Sequence, residues 1–156
     1  MFRTHLAFSF LIALFCLKIF SIQYPILFVM LVTLLGSLPD IDTTKSKIGR
    51  KLWFISIPIS FVFKHRGFFH SVFPALILFF VLRAFGWYFL AFTVLIAYLG
   101  HLVGDALTVE GVNFLHPLST FRIQGFLRTG SMFELVILGV ILAADVFFGL
   151  KMLHIV

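Results

Sequence analysis

The stretch WYFLAFTVLIAYLGHLVGDAL, residues 87–107, decides how the chain is read. At about 1.5 Å per residue it is long enough to cross a hydrocarbon layer of about 30 Å. Backbone groups find no water in that layer, so the segment must satisfy its own hydrogen bonds as a helix. Four more apolar stretches, 6–22, 24–38, 71–85 and 132–150, extend the reading to five membrane helices. The stretches 6–22, 24–38 and 71–85 fall short of the ~20 residues of a comfortable span, which predicts a thinned bilayer, extension through flanking residues, or partial re-entry.

Composition agrees. Of 156 residues 62% are hydrophobic and 12% charged, against about 45–50% and 25% in soluble domains. A soluble fold of ~150 residues buries only about 70% of its unfolded surface, too little interior for 23 Phe. The expectation is one domain, 1–156, of all-α class: a polytopic membrane helical bundle. Arg3 and the apolar 6–17 mimic a signal peptide. Lys18 then interrupts the stretch, no Ala-x-Ala-like site follows, and the next apolar segment begins at once, so 6–22 is read as the first membrane helix.

Prolines mark the boundaries. Pro25 and Pro74 fall in first turns, where a missing N–H costs little, and Pro39 stops the second helix. Ser71 reads as an N-cap, and Ser131-x-x-Glu134 as a capping box opening the fifth helix. Residues 41–70 carry Lys45, Lys47, Arg50, Lys51, Lys64 and Arg66 around the apolar Leu52 to Phe63. Twelve residues containing Pro58 are too few to cross, so this piece is interfacial or re-entrant.

With this topology, Lys and Arg divide nine to three. The six above join Arg3, Arg122 and Arg128 on the N-terminal side, and Lys18, Arg83 and Lys151 fall opposite. The positive-inside rule then places the N-terminus in the cytoplasm, and an integral cell (inner) membrane location is expected. The formal charge of +6 is read as topology and contact with anionic lipids, not as nucleic-acid binding.

Ionisable residues in membrane segments are costly and mark function by default. Hydropathy and Lys/Arg alone fix the topology, yet it gathers His5, Asp40, Asp42, His65, His70, His101, Asp105 and His116 on the inner side, leaving Asp145 and His154 outside. His101 and Asp105, four apart, share a helix face and can reach one ion. Gly100 and Gly104 repeat that spacing on a neighbouring face and invite close approach of another helix. Asp40 and Asp42, in an extended stretch, would point to one side and repel unless a cation or proton lies between them. His65-Arg66-Gly67-Phe68-Phe69-His70 sets two imidazoles around a Gly suited to a tight turn, with Arg66 able to meet an anionic oxygen.

The sole cysteine, Cys16, excludes a thiolate cage. A His/carboxylate set suits Zn or Mn, and seven ligands (His5, Asp40, Asp42, His65, His70, His101, Asp105) exceed one tetrahedral site, implying two ions or an outer shell of supporting residues. Glu134 is first a cap, although the N–H groups beside it at Gly130-Ser131 could hold an anion. His116 ranks below the others as a ligand.

At these motifs the chain resembles the LexA-regulated, inner-membrane metal-dependent hydrolases called YdjM-like. The resemblance rests on His5, Gly36-Ser-Leu-Pro-Asp-Ile-Asp42, Lys45-Ser46 with Gly49, His65-Arg-Gly-Phe-Phe-His-Ser71, and Gly100-His-Leu-Val-Gly-Asp-Ala-Leu-Thr108 with Gly111 and Pro117. It implies metal or catalytic roles for His5, Asp40, Asp42, His65, His70, His101 and Asp105, with Glu134 as a further family-like position. Thr43 departs from the pattern where a His can follow Asp-x-Asp, as does Phe69 where Thr usually precedes the second His, and His116 stands where the family often has an aromatic.

The function expected is hydrolysis of a phosphoester or other ester in a lipid or membrane-associated substrate at the cytoplasmic face. Metal ions would activate water, Asp105 or Asp40 would serve as general base, and Arg66, with Arg50, Arg122 or Arg128 as remoter candidates, would offset developing negative charge. A metal-ion or proton transporter would need polar residues continuing across the bilayer. A noncatalytic regulator would use its His–Asp pairs only to hold helices. Short helices leave room for homo-oligomers.

Overall fold

In the computed structural model, which describes residues 2–63 and 65–152, the apolar stretches become α-helices and no strand forms among the described residues. They are α1 (Phe2–Ile19), α2 (Pro25–Leu35), α3 (Lys47–Lys51), α4 (Trp53–Val62), α5 (Val72–Ala84), α6 (Tyr88–Ala106) and α7 (Met132–Met152). Two short 3-10 helices, Leu38–Asp42 and Phe68–His70, interrupt the connections.

Four segments are long and apolar enough to cross a membrane: Phe2–Ile19, Pro25–Asp42, Tyr88–Ala106 and Met132–Met152. The expected fifth, α5, has 13 residues; at ~1.5 Å each it reaches about 20 Å and falls short of the hydrocarbon thickness. It runs from the site end back along α6 to Arg83, close in sequence to the start of that helix at Tyr88, a short apolar helix of the kind that calls for a thinned bilayer or flanking extension. Helix α4 contains Pro58 and leaves the bundle, touching α3 and the first 3-10 helix while Trp53, Phe54 and Phe61 stay exposed. Such a short, outward apolar helix fits the interfacial or re-entrant expectation.

Helix α1 is central, packing against α2, α6 and α7. Its contact with α6 depends on two glycines. A Cβ on Gly100 would lie 2.9 Å from Ile12 Cδ1, and one on Gly104 would lie 2.9 Å from His5 Nδ1. The core has two parts. Ala13, Cys16, Phe28, Val32 and Ala97 knit α1, α2 and α6 together, while Ala75, Tyr98, Leu102 and Val112 join α5 and α6 to the loop before α7. Many large apolar side chains face outward, Leu135, Val136, Val140 and Val146 of α7 among them, as lipid contact requires.

Three local expectations change. The Asp40–Asp42 segment is a 3-10 turn, not extended, because Pro39 and the Asp40 N–H bond to the Ser37 carbonyl coil the chain tightly after α2. Ser71 occupies the N-cap position of α5, but its hydroxyl donates back to the Phe68 carbonyl at 2.7 Å and does not cap. In the His65–His70 turn the positive φ (59°) falls on Arg66 rather than on Gly67. Lys64 and His154 lie outside the described residues.

Candidate metal centre

Helices α1, α5 and α7 begin, and α2 and α6 end, at the same end of the bundle, and there the ionisable residues meet. The Nε2 atoms of His70 and His101 face carboxylate oxygens of Asp40 and Asp105. His70 Nε2 lies 3.7 Å from Asp40 Oδ1 and 3.5 Å from Asp105 Oδ2; His101 Nε2 lies 3.8 and 3.6 Å from the same two oxygens. These distances are too long for hydrogen bonds and lie near the edge of about 3.4 Å that ligand atoms make around a tetrahedral ion at ~2.0–2.1 Å, although Asp40 and Asp105 belong to different groups of mutually close ligand atoms.

Three of these four atoms, His70 Nε2, His101 Nε2 and Asp105 Oδ2, are buried without a hydrogen-bond partner. Each such group costs about 1–3 kcal/mol when left unpaired. Three around one point therefore need a cation or protons between them. The donor set, two imidazoles and two carboxylates with no thiolate, fits a divalent ion such as Zn or Mn; Cys16 is buried away from it in the apolar core.

Surrounding groups orient these ligands. His101 Nδ1 donates to the Gly36 carbonyl at 2.7 Å, which leaves the Nε2 lone pair facing the cluster. His70 Nδ1 lies 3.0 Å from Asp42 Oδ2 and is fixed in the same manner. The other Asp42 oxygen meets His65 Nδ1 at 2.7 Å. Both contacts are hydrogen bonds, shorter than a coordination edge, so buried Asp42 holds two imidazoles from its position behind the ligands. Asp105 Oδ1 is met by His5 Nε2 and Arg66 Nη2, each at 3.3 Å, and the His5 ring stacks on His101 with centroids 4.4 Å apart. All seven sequence-expected ligands thus come together, as three overlapping groups: His5–His101–Asp105, Asp40–His70–His101 and Asp42–His65–His70.

Arg66 is anchored within the protein. Besides Asp105, its guanidinium donates to the Gly111 carbonyl at 3.4 Å, and its backbone N–H to Asp42 Oδ2 at 3.3 Å. These contacts hold the left-handed backbone, at a cost of order 1–2 kcal/mol for a non-glycine residue. Burial pulls the His70 imidazole down, but Asp40, Asp42 and Asp105 around it outweigh this and push it up to about 9.

Other expected residues lie apart. Glu134 accepts from Thr4 Oγ1 at 2.6 Å and from the Gly130 N–H at 2.7 Å, while its own N–H is capped by Ser131. It ties α7 to α1 and belongs to none of the three His/Asp groups. His116 and Asp145 are also outside them, and Arg122 donates to the Glu110 carbonyl. Sequence reading missed the Gly36 carbonyl and Tyr98, whose hydroxyl donates to the Phe69 carbonyl and steadies the turn bearing His70. The first is backbone and carries no residue-type signal. Tyr98 had one faint mark, a phenol three residues before His101 on an otherwise apolar helix.

Fold and site together define a helical membrane protein with a buried His/Asp cluster at one end of its bundle. The comparisons give this class a family: the chain belongs to the YdjM inner membrane protein family, whose pattern matches residues 1–154. It is 40% identical over 118 residues to the uncharacterized protein YvsG of Bacillus subtilis (strain 168), covering 71% of each chain. It is 43% identical over 86 residues to the inner membrane protein YdjM of Escherichia coli (strain K12), covering 51% of this chain and 44% of that one. The match thus spans less than half the length of the latter relative. No solved structure matches.

Proposed function

We propose that this protein is a membrane-bound, metal-dependent hydrolase that cleaves a phosphoester or other ester bond of a lipid or membrane-associated substrate at the cytoplasmic face. One observation carries the reading: two unpartnered imidazole nitrogens and two carboxylate oxygens face one another at coordination spacing inside a protein otherwise built for lipid. His70, His101 and Asp105 would hold one Zn or Mn ion and leave its fourth position, beside Asp40, to water, with His5, Asp42, His65 and Arg66 around them. Such an ion supplies an activated water and polarises the bond to be cut.

The chain's own groups do the rest. Asp105, buried and held through Oδ1 by His5 and Arg66, is a fixed anchor. The Asp40 side chain is 22% exposed where those of Asp42 and Asp105 are nearly sealed, which favours Asp40 as the group that accepts a proton from attacking water. Arg66 acts through Asp105 as a positioning residue. The excess of Lys and Arg at this end supports a cytoplasmic orientation. A transport role fits less well, because the apolar cluster of Ala13, Cys16, Phe28, Val32 and Ala97 stands between the site and the far end of α1, α2 and α6.

Metal analysis of protein extracted in mild detergent is expected to give about one Zn or Mn per chain, following the single tetrahedral centre. His101→Ala should abolish it while helical content is retained, and phospholipid hydrolysis should disappear with the metal. Wild-type protein that binds neither ion after gentle extraction and reloading would overturn the proposal.

A further inference from the structure

The first 3-10 helix, Leu38–Asp42, does more than present Asp40. With three residues per turn, Leu38 and Ile41 share one face, Pro39 and Asp42 a second, and Asp40 aligns with the capping Thr43 on the third. The second face is buried. The other two look onto surfaces of opposite chemistry.

On the first face lies a groove of about 270 Å³, bounded by Leu38 and Ile41 with Phe68, Phe69, Ile77 and Tyr98. It is apolar throughout, and Phe68 and Phe69 belong to the turn that carries His70. On the third face lies a hollow of about 320 Å³, lined by Asp40 and His65 of the His/Asp cluster together with Thr43, Lys45, Ser46 and Lys47. Lys45 and Lys47 are exposed, and the Lys47 ammonium sits 4.9 Å over the Phe2 ring. The loop bearing them is tied to the 3-10 helix, since Ser46 Oγ donates to the Asp40 carbonyl at 2.6 Å and accepts from the Gly49 N–H at 2.8 Å.

A positively charged hollow and an apolar groove thus flank one short helix whose Asp40 reaches the metal centre. We propose that this pair of surfaces binds an anionic phospholipid, its phosphate-bearing headgroup on Lys45 and Lys47 and an acyl chain in the Ile41–Ile77 groove. Charge complementarity selects the headgroup, and the apolar lining selects a lipid over a soluble phosphate. The inference rests on the hydrolase reading and names the substrate class for it: an amphiphile whose phosphate is brought beside Asp40.

The test reads binding without turnover. Full-length, chelator-treated protein in detergent is offered equimolar phosphatidic acid and phosphatidylcholine of identical chains, and intact lipid adducts are measured by native mass spectrometry. Phosphatidic acid is expected to be favoured about thirtyfold, the scale two lysines near a phosphate supply. The preference should vanish in Lys45→Gln/Lys47→Gln and persist in Lys151→Gln at the far end. Ile77→Gln should weaken both lipids alike, because it alters the groove and not the charge. Equal adducts in the wild type, a preference surviving the double substitution, or an equal loss in Lys151→Gln would each overturn the inference. Displacement by glycerol phosphate at matched concentration would do so as well, since headgroup charge alone would then suffice. Metal stoichiometry is measured separately, so failure here leaves the metal reading standing, and loss of the metal reading does not alter the adduct ratios.

Discussion

His101 and His70 divide their ring nitrogens in the same way: Nδ1 is committed to an oxygen behind the ring, and Nε2 faces the cluster. For His70 this has a consequence in pH. Without metal its imidazole is held protonated up to about 9, against an ordinary 6.5. A raised pKa means that the bound proton stabilises the fold fully below 6.5, and this contribution is lost as pH rises through about 9. Metal competes for the same nitrogen and needs it neutral. The melting temperature of chelator-treated protein should therefore fall between pH 6.5 and 9, while Zn affinity rises by up to about tenfold per pH unit over that window. Calorimetric melting and Zn titration across the range check both signs; affinity that is flat with pH would remove His70 Nε2 from the ligand set.

Helices set the distances that those atoms require. His5 reaches Asp105 only because α1 lies directly on the Gly100–Gly104 face of α6, where a side chain would collide. Gly104→Ala places a methyl 2.9 Å from His5 Nδ1, so the ring must move, breaking its stack on His101 and its contact with Asp105. Alanine is otherwise the better helix former, so the expected result is a protein that keeps its helical content but binds Zn about tenfold or more weakly, the usual scale for disturbing groups that orient metal ligands. Circular dichroism with Zn titration separates the two effects. Unchanged affinity would show that His5 plays no part in orienting Asp105. The turn bearing Arg66 works by the same logic, its left-handed backbone held by Asp42, Asp105 and Gly111.

At the scale of the molecule the bundle has two unlike ends. One carries the His/Asp cluster, the lysine-rich loop and the Glu134–Thr4 tie; the other carries Lys18, Arg83 and Lys151. This asymmetry predicts that the site faces the cytoplasm. With Cys16 replaced by Ala, a single Cys at exposed Thr44 should resist a membrane-impermeant thiol reagent in intact cells and react once the membrane is opened. Labelling in intact cells would reverse the orientation and, with it, the face from which substrate enters.

The sequence by itself determined the all-helical membrane class, the ends where the ionisable residues collect, and all seven residues that converge, because hydropathy, helical spacing and Lys/Arg asymmetry are sums over neighbours in the chain. It also yielded the Ser131–Glu134 cap, a purely local motif. Only the tertiary structure decided which atoms face the common point. Asp40 rather than Asp42 supplies an open oxygen because a 3-10 turn, not a strand, follows α2, and Arg66 serves Asp105 because the His65–His70 turn folds over α6. The atoms that meet come from residues distant in the chain, 39 positions apart for Arg66 and Asp105 and 65 for His101 and the Gly36 carbonyl, and a backbone carbonyl has no letter in the sequence to announce it.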